Sequence, residues 1–289
     1  MELVSDFKAY LSSIEPPAEE VSAAKAAHLE VREILRTDPE SKEAHKETFL
    51  SGSYARSTAI NDINDVDVIC ILDIDRYNTQ AEVVLAWVEA ILAKHYDNPK
   101  RQGRSIGVKA KNGVWLDIVP ATPISADDGP LWIPDREARE WVQTHPRSQI
   151  ASATAKNKAT NGFYVQVVKL LKAWRDRLPT ESCRLKSYIL EALIYATIGF
   201  PSSHAIAIVN VLEGIERSYG IYRNSGVVPV IPDPGYSSVN VAKRLSPEEF
   251  TDFMTQVKTA AAAARKAFDD QNESSSRRLW RQLFGQNFG

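Results

Sequence analysis

The segment 65–72, with the sequence DVDVICIL, restricts the fold more than any other part of the chain. Its β-branched and apolar residues predict a buried strand over Val66–Leu72. Side chains two residues apart on a strand point to the same face, so Asp65 and Asp67 present their carboxylates together. Two such carboxylates repel each other unless a cation lies between them. The segment therefore predicts a strand that packs through one face and binds cations through the other.

The residues around this strand indicate an α+β fold, and the second half of the chain is mainly helical. Apolar residues at helical spacing predict the helices, and Asn112-Gly113 is a strong hairpin signal between two alternating strands. We expect a catalytic core with an N-terminal helix in residues 1–150 and a helical lobe in residues 151–289, with a central cleft. The predicted helices span 21–37, 79–96, 162–177, 182–199, 203–219 and 246–272, and the predicted strands span 48–50, 66–72, 104–111 and 114–120.

The composition excludes several classes of protein. The 289 residues are 44% hydrophobic and 25% charged, which is ordinary for a soluble globular protein. A formal net charge of −2 gives no general attraction to nucleic acid or to an anionic membrane. The chain has only two cysteines and no apolar run typical of a signal peptide or a membrane span. We therefore expect a cytoplasmic protein without a membrane partner.

Two further motifs complete the predicted site. Asp117 lies in LDIVPA (116–121) between Leu116 and Ile118, so its carboxylate points away from its apolar neighbours on a predicted strand. Gly52 and Ser53 follow a short strand, where glycine lets a phosphate approach the backbone and the serine hydroxyl can bind it. Mg²⁺ prefers hard oxygen ligands, and two such ions can hold the attacking and leaving oxygens of a phosphoryl transfer. We expect Asp65, Asp67 and Asp117 to bind two Mg²⁺ ions, with Mn²⁺ as an alternative.

An isolated Asp-x-Asp pair is more often a solvated turn or a helix cap, but the combination resembles a known family. GSYARSTAINDINDVDVICIL (52–72) is similar to the Gly-Ser and Asp-x-Asp motifs of the DNA polymerase β-like nucleotidyltransferase superfamily. LDIVPA, VKLLKAWRDR (168–177), LKSYILEAL (185–193) and the ending RRLWRQLFGQNF (277–288) resemble the bacterial CD-NTases, relatives of animal cyclic GMP-AMP synthase and oligoadenylate synthase. The resemblance implies a polymerase β-like core, a mixed sheet flanked by helices, together with a C-terminal helical lobe.

The same resemblance implies a function. CD-NTases join NTPs, with no template, into a cyclic di- or trinucleotide second messenger, which acts on an effector protein during anti-phage (CBASS) defence. By position, Lys172 and Ser187 are expected to contact the donor triphosphate. Glu191, one helical turn after Ser187, either supports the site or forms a buried pair. The sequence does not indicate the base identity of the product.

Other residues are weaker candidates. Asn161 and Tyr164 could read or stack on a base, although helix capping explains Asn161 equally well, and Tyr222 and Tyr236 are comparable. The basic segment 94–111 fits a solvated loop and hairpin better than a nucleic-acid surface, so we expect no activation by nucleic acid. The histidines and cysteines do not form a zinc-binding pattern.

Two other functions are consistent with the same motifs. A linear nucleotidyltransferase that modifies RNA, a protein or a small molecule would use the same three acids. A catalytically silent nucleotide sensor would bind NTPs without turnover, but it would not need all three carboxylates. The retention of Asp65, Asp67 and Asp117 therefore favours an enzyme.

Overall fold

The computed structural model describes residues 1–61, 66–125 and 128–289. These residues form ten α-helices and nine β-strands, together with short 3-10 turns. The helices are α1 (Val4–Ile14), α2 (Ala18–Thr37), α3 (Gly52–Ala55), α4 (Ala81–Leu92), α5 (Pro146–Ala159), α6 (Phe163–Asp176), α7 (Ser187–Thr197), α8 (His204–Tyr219), α9 (Pro247–Asp269) and α10 (Glu273–Phe284). The strands are β1 (His45–Leu50), β2 (Val66–Leu72), β3 (Lys100–Arg101), β4 (Ile106–Lys109), β5 (Trp115–Pro123), β6 (Leu131–Asp135), β7 (Glu140–Thr144), β8 (Pro232–Asp233) and β9 (Tyr236–Asn240).

The chain divides into two compact units. The sheet unit is residues 16–150, and the helical unit combines residues 1–15 with residues 151–289. The sequence-based division assigned residues 1–15 to the catalytic core, whereas the structure packs them with the helical unit. The reason is that α1 buries Phe7 completely against the aromatic rings of Trp280, Phe284 and Phe288.

The sheet unit is built on a mixed sheet in which the order of strands is β1-β2-β5-β4-β3, with β6 paired to β5 and β7 to β6. Strands β2 and β5 run parallel, and the other paired strands of the sheet run antiparallel. One face of β2 and β5 shares a core with the apolar faces of α2 and α4. The opposite face packs Ile69 and Ile71 of β2 with β6. Burial on both faces gives the central strands little freedom to change register.

The helical unit is held together by a single large hydrophobic cluster to which α1 and α6 to α10 all contribute. Helix α9 begins with a capping box, in which Ser246 accepts a hydrogen bond from the backbone N–H of Glu249 and the Glu249 carboxylate accepts one from the Ser246 N–H. This confirms the start that the sequence predicts for this helix. Strands β8 and β9 form a short hairpin that begins within the segment 227–238, which was predicted from the sequence to be a proline-rich loop, and ends at Asn240.

The fold class predicted from the sequence is confirmed: the protein is α+β, with a mixed sheet flanked by helices and a C-terminal helical region. The strand predicted over Val66–Leu72 has those bounds in the structure. Helices α1, α5 and α10 and the β6–β7 hairpin were not predicted. Within the described part of the chain, no helix is both long enough and apolar enough to cross a membrane.

Candidate active site

Asp67 and Asp117 are direct neighbours in the sheet. They are register partners in the parallel pairing of β2 with β5, and both side chains are partly exposed. The residues on either side of Asp67 in β2, Val66 and Val68, are completely buried. The alternation of the two strands therefore turns both carboxylates to the same, accessible face. Asp65, the third acid expected at the site, lies outside the described residues.

The backbone of Gly52 lies against the carboxylate of Asp67. A Cβ atom at position 52 would be 1.6 Å from Oδ2 of Asp67, and the φ angle of Gly52 is +66°. Only glycine adopts this conformation readily and leaves room for the carboxylate. The Ser51 N–H donates to the Asp67 carbonyl at 2.8 Å, which ties the end of β1 to β2. Ser53 follows as a half-buried residue of the short helix α3.

Asp117 has an amide partner on its other side. Oδ1 of Asp117 accepts a hydrogen bond of 2.8 Å from Nε2 of Gln102, a residue that directly follows β3. Gly107 of β4 is the antiparallel register partner of Asp117. A Cβ atom at position 107 would lie 2.8 Å from Gln102 Nε2 and 3.3 Å from Asp117 Oδ1, so glycine keeps this contact open. No motif in the sequence indicates that Gln102 reaches this acid.

The donor set suits a divalent cation. Asp67 and Asp117 offer hard carboxylate oxygens from adjacent strands, and two neighbouring anions are stabilised by a cation near both. Among residues 1–61, 66–125 and 128–289, no group of three His, Cys, Asp or Glu side chains is placed to hold a metal ion. This result concerns the described residues alone, and the third expected ligand is not one of them. The two described acids fit the predicted metal-binding role.

Lys172 lies in the core of the helical unit. Its Nζ is 2.6 Å from Oε1 of Glu191, and the two side chains are 4% and 1% exposed. This contact is the buried pair that the sequence left open as one of two alternatives for Glu191. A carboxylate already neutralises the ammonium group, which gives Lys172 a structural role that its sequence motif did not predict. Its contact with a donor triphosphate stays a prediction.

Ser187 is the first residue of α7 and is half-buried. Its Oγ accepts a short hydrogen bond from the guanidinium of Arg175, which also donates to the carbonyl of Leu185 at 3.3 Å. Because this oxygen accepts from a cation, the serine proton can be donated to another group. Such a hydroxyl suits a phosphate oxygen, and the contact of Ser187 with a donor triphosphate stays a prediction.

The candidates for base recognition have different environments. Asn161 is exposed with a φ of 52° and precedes Gly162, so it forms the turn between α5 and α6. Tyr164 is only 2% exposed and packs edge-on against Tyr195, and this burial contradicts its predicted role in stacking on a base. Tyr222 packs against the core of the helical unit. Tyr236 is half-buried on β9.

Much of the basic segment 94–111 is engaged in ion pairs. Lys94 contacts Glu40 at 2.8 Å, and Arg104 contacts the buried Asp135 at 2.7 Å. Arg101 pairs with both Glu82 and Glu89 of the helix α4. Cations neutralised in this way attract polyanions less strongly. These pairings reduce the positive charge that the segment offers to a polyanion, and the expectation of no activation by nucleic acid stays a prediction.

The geometry of the sheet unit agrees with comparisons to known proteins. A family model described as the Second Messenger Oligonucleotide or Dinucleotide Synthetase domain matches residues 1–157. A cyclic AMP-AMP-AMP synthase from Acinetobacter sp. is 34% identical, over 96% of this chain and 83% of that protein. The chain belongs to the bacterial CD-NTase family. As a CD-NTase it is a nucleotidyltransferase, an enzyme of a class that generally uses divalent metal ions.

Other CD-NTases are similar over most of their length. A cyclic AMP-AMP-GMP synthase from Enterobacter hormaechei is 27% identical over 100% of this chain and 92% of that protein. The solved structure of the CD-NTase CdnG from Bradyrhizobium diazoefficiens in complex with GTP has a TM-score of 0.82, with 16% identity over 97% of this chain and 94% of that one. CdnC from E. coli MS115-1, solved with ATP, has a TM-score of 0.79, with 18% identity over 99% and 98% of the two chains. These likenesses confirm the fold.

Proposed function

We propose that this CD-NTase joins NTPs, without a template, into a cyclic trinucleotide that contains at least two adenylates. The proposal rests on the adjacent carboxylates of Asp67 and Asp117 on one face of the sheet. Carboxylates in this arrangement can bind the metal ions that assist phosphoryl transfer. Three relatives are named as cyclic AMP-AMP-AMP or AMP-AMP-GMP synthases, and this chain matches each of them over most of its length. Their names support a trinucleotide and ATP as the principal substrate.

In the proposed reaction, a ribose hydroxyl of one nucleotide attacks the α-phosphorus of another. The new P–O bond forms as the bond to pyrophosphate breaks, and Asp117 accepts the proton of the attacking hydroxyl. The backbone at Gly52 and the hydroxyl of Ser53 bind the β- and γ-phosphates that leave as pyrophosphate. In the helical unit, Ser187 donates a hydrogen bond to a phosphate oxygen. The side-chain amide of Asn161 contacts the base of the nucleotide.

The metal-binding role belongs to Asp65, Asp67 and Asp117. Two Mg²⁺ ions, when bound, would neutralise the phosphate charge and stabilise the leaving pyrophosphate, and Mn²⁺ would serve in their place. The carboxylates of Asp67 and Asp117 are brought together by strand register, so the chain orients them before any substrate binds. Asp67 is held further by the close approach of the Gly52 backbone.

The decisive experiment incubates the purified chain with each NTP and with all four, in Mg²⁺ or Mn²⁺, and measures pyrophosphate release. The D67N and D117N variants are the controls, and we expect each to lower the rate by at least about 100-fold. Equal pyrophosphate release by the wild type and by a D65N/D67N double variant would contradict the proposed enzymatic activity and favour a silent nucleotide sensor.

A second measurement separates cyclic from linear products. A cyclic product has no terminal phosphomonoester, so label from α-³²P-NTP stays in the product after phosphatase treatment. We expect mass spectrometry of that product to give a cyclic trinucleotide. A linear product would lose the label of its 5′-terminal phosphate to phosphatase and keep only the label of its internal phosphodiesters, and that partial loss would favour a linear nucleotidyltransferase.

We propose further that the product signals to an effector protein in anti-phage defence. The family description, which names second-messenger synthesis, supports this role. The experiment expresses the enzyme together with the genes that neighbour it and counts phage plaques. We expect fewer plaques with the wild type than with D67N, and equal counts would reject a defensive role that depends on catalysis.

A further inference from the structure

The carboxylate of Asp117 is contacted by a side-chain amide from the turn after β3, and the proposed mechanism does not use this amide. Nε2 of Gln102 lies 2.8 Å from Oδ1 of Asp117. Gln102 immediately follows β3, and its backbone N–H donates to the carbonyl of Ser105 at 2.9 Å in the turn that leads to β4. The amide is therefore attached to a short, hydrogen-bonded turn next to the acid.

The orientation of this amide is fixed by its other end. Oε1 of Gln102 accepts a hydrogen bond of 3.3 Å from the hydroxyl of Ser105, a buried residue. A serine hydroxyl donates to the carbonyl end of an amide, which leaves the NH₂ end directed at Asp117. An amide N–H that donates to a carboxylate forms a charge-assisted hydrogen bond and restricts rotation of the carboxylate plane.

The neighbouring strand leaves space for this contact. Position 107, the register partner of Asp117 in β4, is glycine. A methyl group there would come within 2.8 Å of Gln102 Nε2 but would stay 3.3 Å from Asp117 Oδ1. The amide is the end of a flexible side chain, so it would move away first. Gly107 and Gln102 therefore form one arrangement around the acid.

We propose that Gln102 is a positioning residue that fixes the Asp117 carboxylate for divalent-metal binding and for proton acceptance. The inference rests on the proposed function, because that function gives Asp117 its role. Gln102 acts through the carboxylate of Asp117, to which it donates its hydrogen bond. Its loss should therefore lower the turnover number and the affinity for a divalent metal, and should leave the KM for ATP nearly unchanged.

The experiment compares the full-length wild type with Q102L, G107A, the Q102L/G107A double variant and Q271L, whose glutamine lies in the helical unit. Pyrophosphate release gives kcat and KM for ATP, and the electron paramagnetic resonance signal of free Mn²⁺ gives the metal affinity without any turnover. We expect Q102L and G107A each to lower kcat about tenfold and to weaken Mn²⁺ binding several-fold, with KM within about twofold of the wild type. Q271L should match the wild type.

The double variant tests whether Q102L and G107A act by removing the same hydrogen bond between Gln102 and Asp117. If G107A acts by displacing the Gln102 amide, the double variant loses no more than either single one, because the same hydrogen bond is removed. Losses that multiply, or a Q102L protein within about twofold of the wild type in both kcat and Mn²⁺ affinity, would overturn the inference. A wild type that binds Mn²⁺ but releases no pyrophosphate would reject the proposed function, and the Mn²⁺ affinities would still decide the role of Gln102.

Discussion

A side chain at position 52 would collide with an acid of the candidate site. The Cβ of an alanine there would lie 1.6 Å from Oδ2 and 2.6 Å from Cγ of Asp67, at a φ angle of +66°. We expect G52A to lower pyrophosphate release at least about 100-fold, because the Asp67 carboxylate must move away from its position beside Asp117. Steady-state kinetics of the purified variant measure the effect.

Gly113 supplies a matched control for this substitution. Its φ angle of +90° is also in the left-handed region, but a Cβ atom there meets no atom within 4 Å. G113A therefore has the same kind of backbone strain, about 1 kcal/mol, without the collision. We expect it to melt slightly earlier than the wild type with full activity. A comparable loss of activity in both variants would mean that strain, and not the Asp67 contact, explains the result.

The buried pair of Lys172 and Glu191 allows its structural and nucleotide-binding roles to be separated. K172M removes the cation beside the buried carboxylate of Glu191, and we expect the free energy of unfolding to fall by about 3–5 kcal/mol. K172M/E191L replaces both charges with apolar side chains and should recover most of that loss. Denaturant unfolding measures both variants.

Kinetics of the stable double variant then test the predicted contact with the donor triphosphate. If Lys172 contacts the nucleotide, K172M/E191L has a raised KM for ATP although its stability is restored. An unchanged KM would reject that contact and leave Lys172 with its structural role alone.

At this scale the sequence predicted the acids better than their surroundings. Asp67 and Asp117 could be found because alternation within a strand shows which side chains face away from the core. The contact of Gln102 with Asp117 and the pair of Lys172 with Glu191 join residues on different elements. Those distances depend on how elements pack, which the local pattern does not contain.

At the scale of the element, the reactivity of Cys70 depends on the packing of strand β2. Cys70 is completely buried opposite Thr48 of β1. Burial raises the pKa of the Cys70 thiol from 9.0 to about 12, and the hydrogen bond from Thr48 offsets this only in part. We expect Cys70 to resist iodoacetamide at pH 8 until denaturant unfolds the sheet, since the reactive species is the thiolate. Peptide mass spectrometry measures the labelling.

The raised pKa of Cys70 also makes the stability of the fold depend on pH. Because the folded-state pKa lies above the unfolded value of 9.0, the folded protein keeps a proton that the unfolded chain releases. The contribution of Cys70 to stability is therefore complete below pH 9.0 and declines as the pH rises toward about 12. A C70A variant should lose less stability than the wild type over this range. Rapid alkylation of Cys70 in the native protein at pH 8 would contradict the burial on which both expectations depend.

The elements that the sequence missed were missed for two different reasons. Helix α5, PRSQIASATAKNKA, has few large apolar residues and hence no periodic stripe to detect. Helix α10, in contrast, buries Leu279, Trp280, Leu283 and Phe284 at helical spacing after an Asn272 cap. Its pattern was present in the sequence and was used only as a family resemblance. The pattern of α1, which buries Phe7, Tyr10 and Leu11, was also present in the sequence but was not interpreted as a helix.

At the scale of the whole molecule, the two units have separate hydrophobic cores. Phe7 is completely buried in the helical unit, although it is close to the N-terminus. We expect F7A to destabilise that unit by about 3–5 kcal/mol. Amide hydrogen exchange should become faster in residues 151–289 and change little in residues 16–150.

Leu35 is the matched residue of the sheet unit. It is also completely buried, in the core that α2 shares with the sheet. L35A should therefore give the opposite pattern of hydrogen exchange, faster in residues 16–150 and nearly unchanged in residues 151–289. Uniform acceleration throughout the chain in both variants would mean that the units unfold as one, contrary to this expectation.

The parallel pairing of β2 with β5 also bears on the order of folding. Asp67 and Asp117 are register partners although they lie about 50 residues apart in the sequence. Contacts between such distant segments form slowly because the connecting loop must close first. The hairpin of β4 with β5 is local and can form earlier. In a refolding chain, the pairing of Asp117 with its β4 neighbour therefore forms before the pairing of Asp117 with Asp67. Activity should then be among the last properties to return during refolding, after most of the secondary structure.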